Sequence, residues 1–190
     1  VAKTDPITFA TDRVGWYAVN VNANDIAAMG ATPKWFLSTV IVPEHLATES
    51  LFEEIFAQIA DACSQLGVSV AGGHSEVTTG LDRPLVIGQM LGETTREALV
   101  RSSGLEPGHD LIITKGLGIE ATAIIAREKR DNLVTRGYKR QVLDRCSNYL
   151  YNPGISVVND ASIAVKAGDV HAMHDPTEGG VATGLRELAT

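Results

Sequence analysis

The sequence is short of several things, and each scarcity narrows its class. Aromatic residues are only 5% of the 190, whereas glycine occurs 18 times. A core built on large rings is therefore disfavoured. Close packing of helices on a sheet through small residues, in an α/β or α+β protein, is favoured. Cysteine occurs twice, as Cys63 and Cys146. They lie far apart in helix-like segments with no Cys-x-x-Cys spacing, so both read as reduced packing residues. No apolar run approaches the roughly 20 residues of a membrane span, and no stretch reads as a signal peptide. A cytoplasmic protein without a membrane partner is the expectation. Positive charge is also in deficit: 16 Lys and Arg against 23 Asp and Glu give a net charge of -7. A nonspecific nucleic-acid binder needs a basic face that this chain lacks. A nucleotide site stays open, because a divalent cation reverses the local field.

The length suits one large domain or two small ones. No repeat or low-complexity segment is present. The polar, Gly- and Pro-bearing stretch from Ser102 to His109 is the best boundary, and it sets modules of 1–103 and 108–190. In the first module, Ile7 to Thr11 reads as a strand. Val14 to Gly30 reads as a helix, because Ala18, Val21, Asp25 and Ala28 recur at helical spacing. Trp35 to Val42 is β-branched and closed by Pro43, as a strand would be. Thr48 is an N-cap for a helix to Leu66 with Leu51, Ile55, Ile59 and Ala62 on one face, and Gly67 ends it. Val68 to Ala71 is a short apolar strand followed by Gly72-Gly73-His74, which reads either as a glycine-rich turn or as an extended segment facing a ligand, and Pro84 to Gly92 is another strand. In the second module, strands are expected at Asp110 to Thr114 and Val170 to Met173. Helices are expected at Gly118 to Arg130, Lys139 to Leu150, Ile155 to Ala167 and from Asp175 onward. The first residues read as a strand entering a site and the last as mid-helix, so a fragment of a longer protein is expected.

Four stretches can carry chemistry. Asn24-Asp25 sits among small apolar residues ahead of Gly30 and Pro33, which stop the helix. A carboxylate on the packed part of a helix needs a cation, a lysine or an amide opposite it. Gly72-Gly73-His74-Ser75-Glu76 follows an apolar strand. Paired glycines let backbone amides approach a ligand, and His74 and Glu76 alternate so as to face one side of an extended segment. Lys115-Gly116-Leu117-Gly118 joins a strand to a helix, but it lacks the third glycine of a dinucleotide loop and the Gly-Lys-Ser/Thr of a P-loop. Asp175-Pro176-Thr177-Glu178 has the form of a capping box with proline at the first helical position. Gly179 and Gly180 in that first turn cost about 1 kcal/mol each against alanine, which points to a phosphate or another backbone close by. His171 and His174 alone do not make a zinc site, since no further His or Cys stands at ligand spacing.

Taken in order, Asn24-Asp25-Ile26-Ala27-Ala28-Met29-Gly30-Ala31-Thr32-Pro33, Gly72-Gly73-His74-Ser75-Glu76 and Asp175-Pro176-Thr177-Glu178-Gly179-Gly180 carry a resemblance. Over essentially its whole length the chain resembles the superfamily of aminoimidazole ribonucleotide synthetase (PurM), thiamine-monophosphate kinase, selenophosphate synthetase and the hydrogenase-maturation factor HypE. The second and third motifs look most like HypE and its uncharacterised relatives. The resemblance implies an α+β fold of α/β layers with two PurM-like modules, the first a dimerising sheet module and the second flanking a nucleotide cleft. It also implies ATP and Mg2+ as cofactors. Asp5 and Asp25 fall where carboxylates bind Mg2+ and phosphate. Asn24, Gly72, Gly73, Thr177, Gly179 and Gly180 are then expected around the nucleotide, and His74, Glu76 and Asp175 as catalytic groups. The implied activity is phosphoryl transfer or activation in the HypE-like branch, onto a small molecule or a protein thiol. A nucleotide-binding maturation or scaffold protein with little turnover is one alternative, and a small-molecule kinase resembling thiamine-monophosphate kinase is another. The sequence departs from the thiamine-monophosphate kinase pattern at Asp5-Pro6-Ile7-Thr8-Phe9, and the glycine-rich N-terminal segment of several relatives and the C-terminal cysteine tail of HypE are not visible in it.

Overall fold

The computed structural model describes residues 2–3, 11–177 and 179–189. Asp5, most of the strand expected at Ile7 to Thr11, and Glu178 lie outside the described residues. Thr11 itself begins a short 3-10 turn, Thr11–Arg13, that leads into α1, Val14–Ala28.

The first module is a sheet with helices on one face. Its strands are β1, Ala2–Lys3; β2, Thr32–Pro43; β3, Ser69–Thr78; and β4, Leu85–Glu93. They lie in the order β1-β4-β2-β3. β2 and β3 are parallel, while β4 pairs antiparallel with β2 and β1. Parallel neighbours need a long crossover, and α2, Glu49–Leu66, supplies it. The Thr48 hydroxyl caps α2 by accepting from Leu51 N at 3.3 Å, and Gly67 closes it in the left-handed conformation. Phe36, Val40 and Val42 of β2, with Val86 and Met90 of β4, meet Val14, Tyr17, Val19 and Ala23 of α1 and Ile55 and Ile59 of α2 in one buried core. The alternate residues, Trp35, Ile87 and Leu91, are partly exposed on the opposite face.

Two close approaches fix α1 against the sheet and the next strand. A Cβ on Gly92 would sit 2.4 Å from Ile26 Cγ2, so the C-terminal half of α1 lies directly on β4. The helix then ends in a Schellman turn: Gly30 N donates to Ala27 O at 2.9 Å and Ala31 N to Ile26 O at 3.2 Å, with Gly30 at φ 71. That turn feeds straight into β2.

β3 is longer than the four-residue strand expected at Val68 to Ala71, and of the two readings of Gly72-Gly73-His74 it takes the extended one. It runs unbroken through Gly72, Gly73, His74 and Glu76, in register with Leu37 to Ile41 of β2. The pairing skips one residue between Val70 and Gly72, which is a β-bulge at Ala71. A Cβ on Gly73 would lie 2.1 Å from Ser38 O, so glycine is required here by the neighbouring strand and not by a turn.

The second module is mainly helical: α3, Ile119–Glu128; α4, Arg130–Thr135; α5, Arg140–Ser147; α6, Val158–Ala167; and α7, Gly180–Leu188. Two expected strands do not form. Residues 110–114 and 170–173 are irregular, and Ile112 is 86% exposed. An apolar run becomes a strand only beside a partner, and among the described residues none pairs with either segment. The last helix begins at Gly180, not near Asp175. Gly179 and Gly180 have φ of 74 and 64, a left-handed bend that any helix begun at Asp175 would have to traverse. The capping box therefore fails, and the two glycines serve this bend. The architecture is α+β with α/β layering. No helix among the described residues is long and apolar enough to cross a membrane.

Candidate functional site

α1 turns two adjacent side chains in different directions. Asn24 points inward and is 8% exposed. Its Nδ2 donates to Ile155 O at 2.9 Å, and its Oδ1 accepts from Val157 N at 2.8 Å. One amide thus holds the backbone on which the second module turns into α6. Lys115 grips the same segment from the other side: its Nζ donates to Gly154 O at 3.2 Å and to Ser156 O, and lies 3.4 Å from Asp160 Oδ2. Lys115 is thus engaged with protein oxygens, which removes the phosphate-loop reading of residues 115–118.

Asp25, about 100° further round the helix, is exposed and not on the packed face expected for it. It looks toward the second module. Partial burial raises its pKa above the usual carboxylate value, and the nearby His174 works against that rise. Asp175 is pushed up to about 6, first by burial and then by the charge of Asp25. Its Oδ2 is buried without a hydrogen-bond partner. Glu120, in the first turn of α3, is pushed up to about 7 by burial and then by Asp175. Three carboxylates from α1, α3 and the loop before α7 therefore share one electrostatic neighbourhood, and each holds its proton more tightly than in water. A bound cation would relieve the same crowding. Among the described residues no three His, Cys, Asp or Glu side chains converge tightly enough to hold a metal by themselves.

His174 extends this group. Its Nε2 lies 2.6 Å from Glu187 Oε2 of α7, and its Nδ1 is buried with no partner. Thr177 Oγ1 donates to Asp175 O at 3.0 Å, a local turn that holds the loop.

His74 and Glu76 stand elsewhere. They lie on one side of β3, as their alternation predicts, with His74 Nε2 3.4 Å from Glu76 Oε2. Both are more than half exposed. Their β2 neighbours are Thr39 and Ile41, which alternate with the buried Ser38, Val40 and Val42. The pair therefore faces the side of the sheet away from α1 and α2. Within one chain the fold brings Asp25 and Asp175 together and leaves His74 and Glu76 apart from them. β3 is the outer strand of the sheet, and at that edge Gly72, Gly73 and His74 also border a groove against α2, where Phe56 and Val70 are exposed.

Glu120, His174 and Glu187 belong to the site and were not singled out by the sequence for it. An acid in the first turn of a helix is an ordinary dipole partner, so Glu120 carries no mark of its own. The one available signal was Gly118-Ile119-Glu120 after Lys115, a helix start whose glycine keeps the carboxylate close to the loop.

Comparison with known proteins agrees with this architecture. The model of the AIR synthase related protein N-terminal domain matches residues 1–94, and that of the C-terminal domain matches residues 106–190. The chain is 30% identical over 193 residues to the selenide, water dikinase of Dechloromonas aromatica, covering 99% of this chain and 51% of that relative. It is 26% identical over 189 residues to the carbamoyl dehydratase HypE of Rhizobium leguminosarum bv. viciae, covering 97% of this chain and 50% of the relative. A crystal structure of the hydrogenase maturation protein HypE superposes with a TM-score of 0.78 at 26% identity, over 97% of this chain and 54% of that one. The chain thus spans about half the length of the curated relatives it matches. With both domain models in order along it, this chain belongs to the AIR synthase related protein family.

Proposed function

We propose that this chain is the ATP- and Mg2+-binding part of a phosphoryl-transfer or activation enzyme of the HypE-like branch, acting in hydrogenase or metalloenzyme maturation. One observation carries the reading. Asp25 acts on Asp175 across the two modules, and Asp175 in turn acts on Glu120, so that burial and carboxylate neighbours raise both Asp175 and Glu120. The donors are all oxygen, the kind that hard divalent cations take, and Mg2+ usually binds one or two carboxylates together with phosphate oxygens and water. A pair of facing carboxylates with an unpartnered Oδ2 on Asp175 fits that shell. Asp25, with Asp5, is the proposed Mg2+ ligand. Asp175 faces the phosphates or the acceptor, and Thr177, Gly179 and Gly180 line the nucleotide beside it. Bound Mg2+ would neutralise phosphate charge and hold the γ-phosphate in line. The chain's own part is to hold the two modules together: Asn24 ties α1 to Ile155 and Val157, which Lys115 orders from within the second module, and so sets where Asp25 stands against Asp175.

The position of His74 and Glu76 supports a homodimer. The exposed Trp35, Ile87 and Leu91 make the open sheet face apolar, and a second copy covering it would bring His74, Glu76, Gly72 and Gly73 to an interface. If no such copy binds, the same observation favours a nucleotide-binding maturation protein with little turnover. A cytoplasmic location is proposed with either reading. Calorimetry of the full chain with ATP and Mg2+ is the test, and no heat of binding would remove both readings. If ATP binds, single-turnover ADP formation separates enzyme from scaffold.

A further inference from the structure

Histidine 174 is placed as a base would be. Its Nε2 stands 2.6 Å from Glu187 Oε2. A carboxylate accepts and cannot donate, so Nε2 carries the hydrogen, and in the neutral ring Nδ1 is a bare lone pair. That Nδ1 is buried and unpartnered, and so is Oδ2 of the adjacent Asp175. An unsatisfied buried polar atom costs about 1–3 kcal/mol, and two side by side need a reason. The ring is also fixed from behind. A Cβ on Gly184 would stand 2.9 Å from Pro176 Cβ and 3.7 Å from His174 Cγ, so α7 packs closely on residues 174–176 and presents Glu187 one turn later. The carboxylates around His174 are Asp25, Asp175 and Glu187, with Glu120 behind Asp175.

We propose that His174, oriented by Glu187, takes the proton from the group that attacks the γ-phosphate, so that the acceptor is a nucleophile still carrying its proton, such as a hydroxyl. This rests on the phosphoryl-transfer reading above. As the bond from the attacking atom to phosphorus forms, its proton passes to Nδ1. The bond from phosphorus to the β,γ-bridging oxygen breaks, and ADP leaves with that electron pair. The imidazolium left behind is stabilised by Glu187 through Nε2–H. A phosphate acceptor would be ionised already near neutral pH and would need no such base. His174 is thus the catalytic residue of this proposal and Glu187 a positioning residue.

The test uses the full chain, ATP with Mg2+, and water as the acceptor. His174→Gln is expected to bind ATP within twofold of the parent and to form ADP about 100-fold more slowly, the low end of what a positioned base supplies. Glu187→Ala is expected to lower kcat about tenfold with KM for ATP unchanged. In the 15N spectrum, neutral His174 is expected as the Nε2–H tautomer in the parent and as a mixture in Glu187→Ala. ADP formation within twofold of the parent in His174→Gln overturns the proposal. So does an Nδ1–H tautomer in the parent, or loss of ATP affinity in step with stability in both variants. Failure of the parent itself to bind ATP strikes the phosphoryl-transfer reading, and this proposal falls with it.

Discussion

Asn24 holds Ile155 across 131 positions of sequence: its Nδ2 donates to the Ile155 carbonyl at 2.9 Å, and its Oδ1 takes the next available amide, from Val157, at 2.8 Å. The neighbouring Asp25 is carried by the same helix toward the second module. The side chain that joins the modules and the side chain that faces the site are therefore set by a single turn of α1.

Replacing Asn24 separates these two effects. Asn24→Ala leaves the buried Ile155 carbonyl and the partly buried Val157 amide unpaired, and is expected to cost about 2–6 kcal/mol, since each orphan costs about 1–3, with the lower half favoured because the amide is only partly buried. Asn24→Asp keeps the acceptor for Val157 N but sets an oxygen against Ile155 O, and should cost at least as much. Urea unfolding measures both. A loss under 0.5 kcal/mol would show that the clamp is not holding the modules.

The raised carboxylates predict an unusual pH response. Glu120 titrates at about 7 in the folded chain against an ordinary 4.5, and Asp175 at about 6 against 3.8. The folded state then binds more protons than the unfolded one between those values, so stability is highest below about pH 4.5 for Glu120 and falls as pH rises toward 7. Glu120→Gln removes its share of that fall. Without added Mg2+ it should be roughly 2 kcal/mol more stable than the parent at pH 8 and nearly equal at pH 4.5, at 1.36 kcal/mol per pH unit discounted for partial exposure. Thermal melts across this range check it, and a parent whose stability rises from pH 5 to 8 would contradict it.

The β3 edge predicts a contrast between adjacent positions. Gly73→Ala forces a Cβ to within 2.1 Å of Ser38 O, and should cost about 1–3 kcal/mol or more, as overpacking does. His74→Ala alters an exposed side chain and should change stability by less than about 0.5 kcal/mol. Any loss of ADP formation in His74→Ala then reports on the site and not on folding. Equal stability losses at the two positions would remove the register given for β3.

Much of the fold was readable where local chemistry and tertiary packing agree. The Thr48 cap, the apolar stripe Ile55, Ile59 and Ala62, and the left-handed Gly67 delimit α2 from sequence alone. The Gly30 stop on α1 is of the same kind. Reading failed where a distant partner decides. Gly72-Gly73 reads as either a turn or an extended segment until β2 lies beside it and needs the close approach of Gly73 to Ser38. Residues 110–114 look like a strand until the absence of a partner among the described residues leaves Ile112 exposed. Asp175-Pro176 looks like a helix start because the cap residues are present, and only the left-handed bend at Gly179 shows that the helix begins later. Of the candidate site, Asp25 and Asp175 were singled out by motif. Glu120 and the His174–Glu187 pair were not, because their meaning depends on which segments meet.

The most direct test of the central claim is calorimetric titration of Mg-ATP into the full chain and into Asp25→Asn. The substitution keeps the shape of an exposed side chain, so the melting temperature should stay within a few degrees of the parent. If Asp25 holds Mg2+ against the phosphates, affinity for Mg-ATP falls at least tenfold, about 1.4 kcal/mol, while the fold is kept. Unchanged affinity in a folded Asp25→Asn variant would contradict the account.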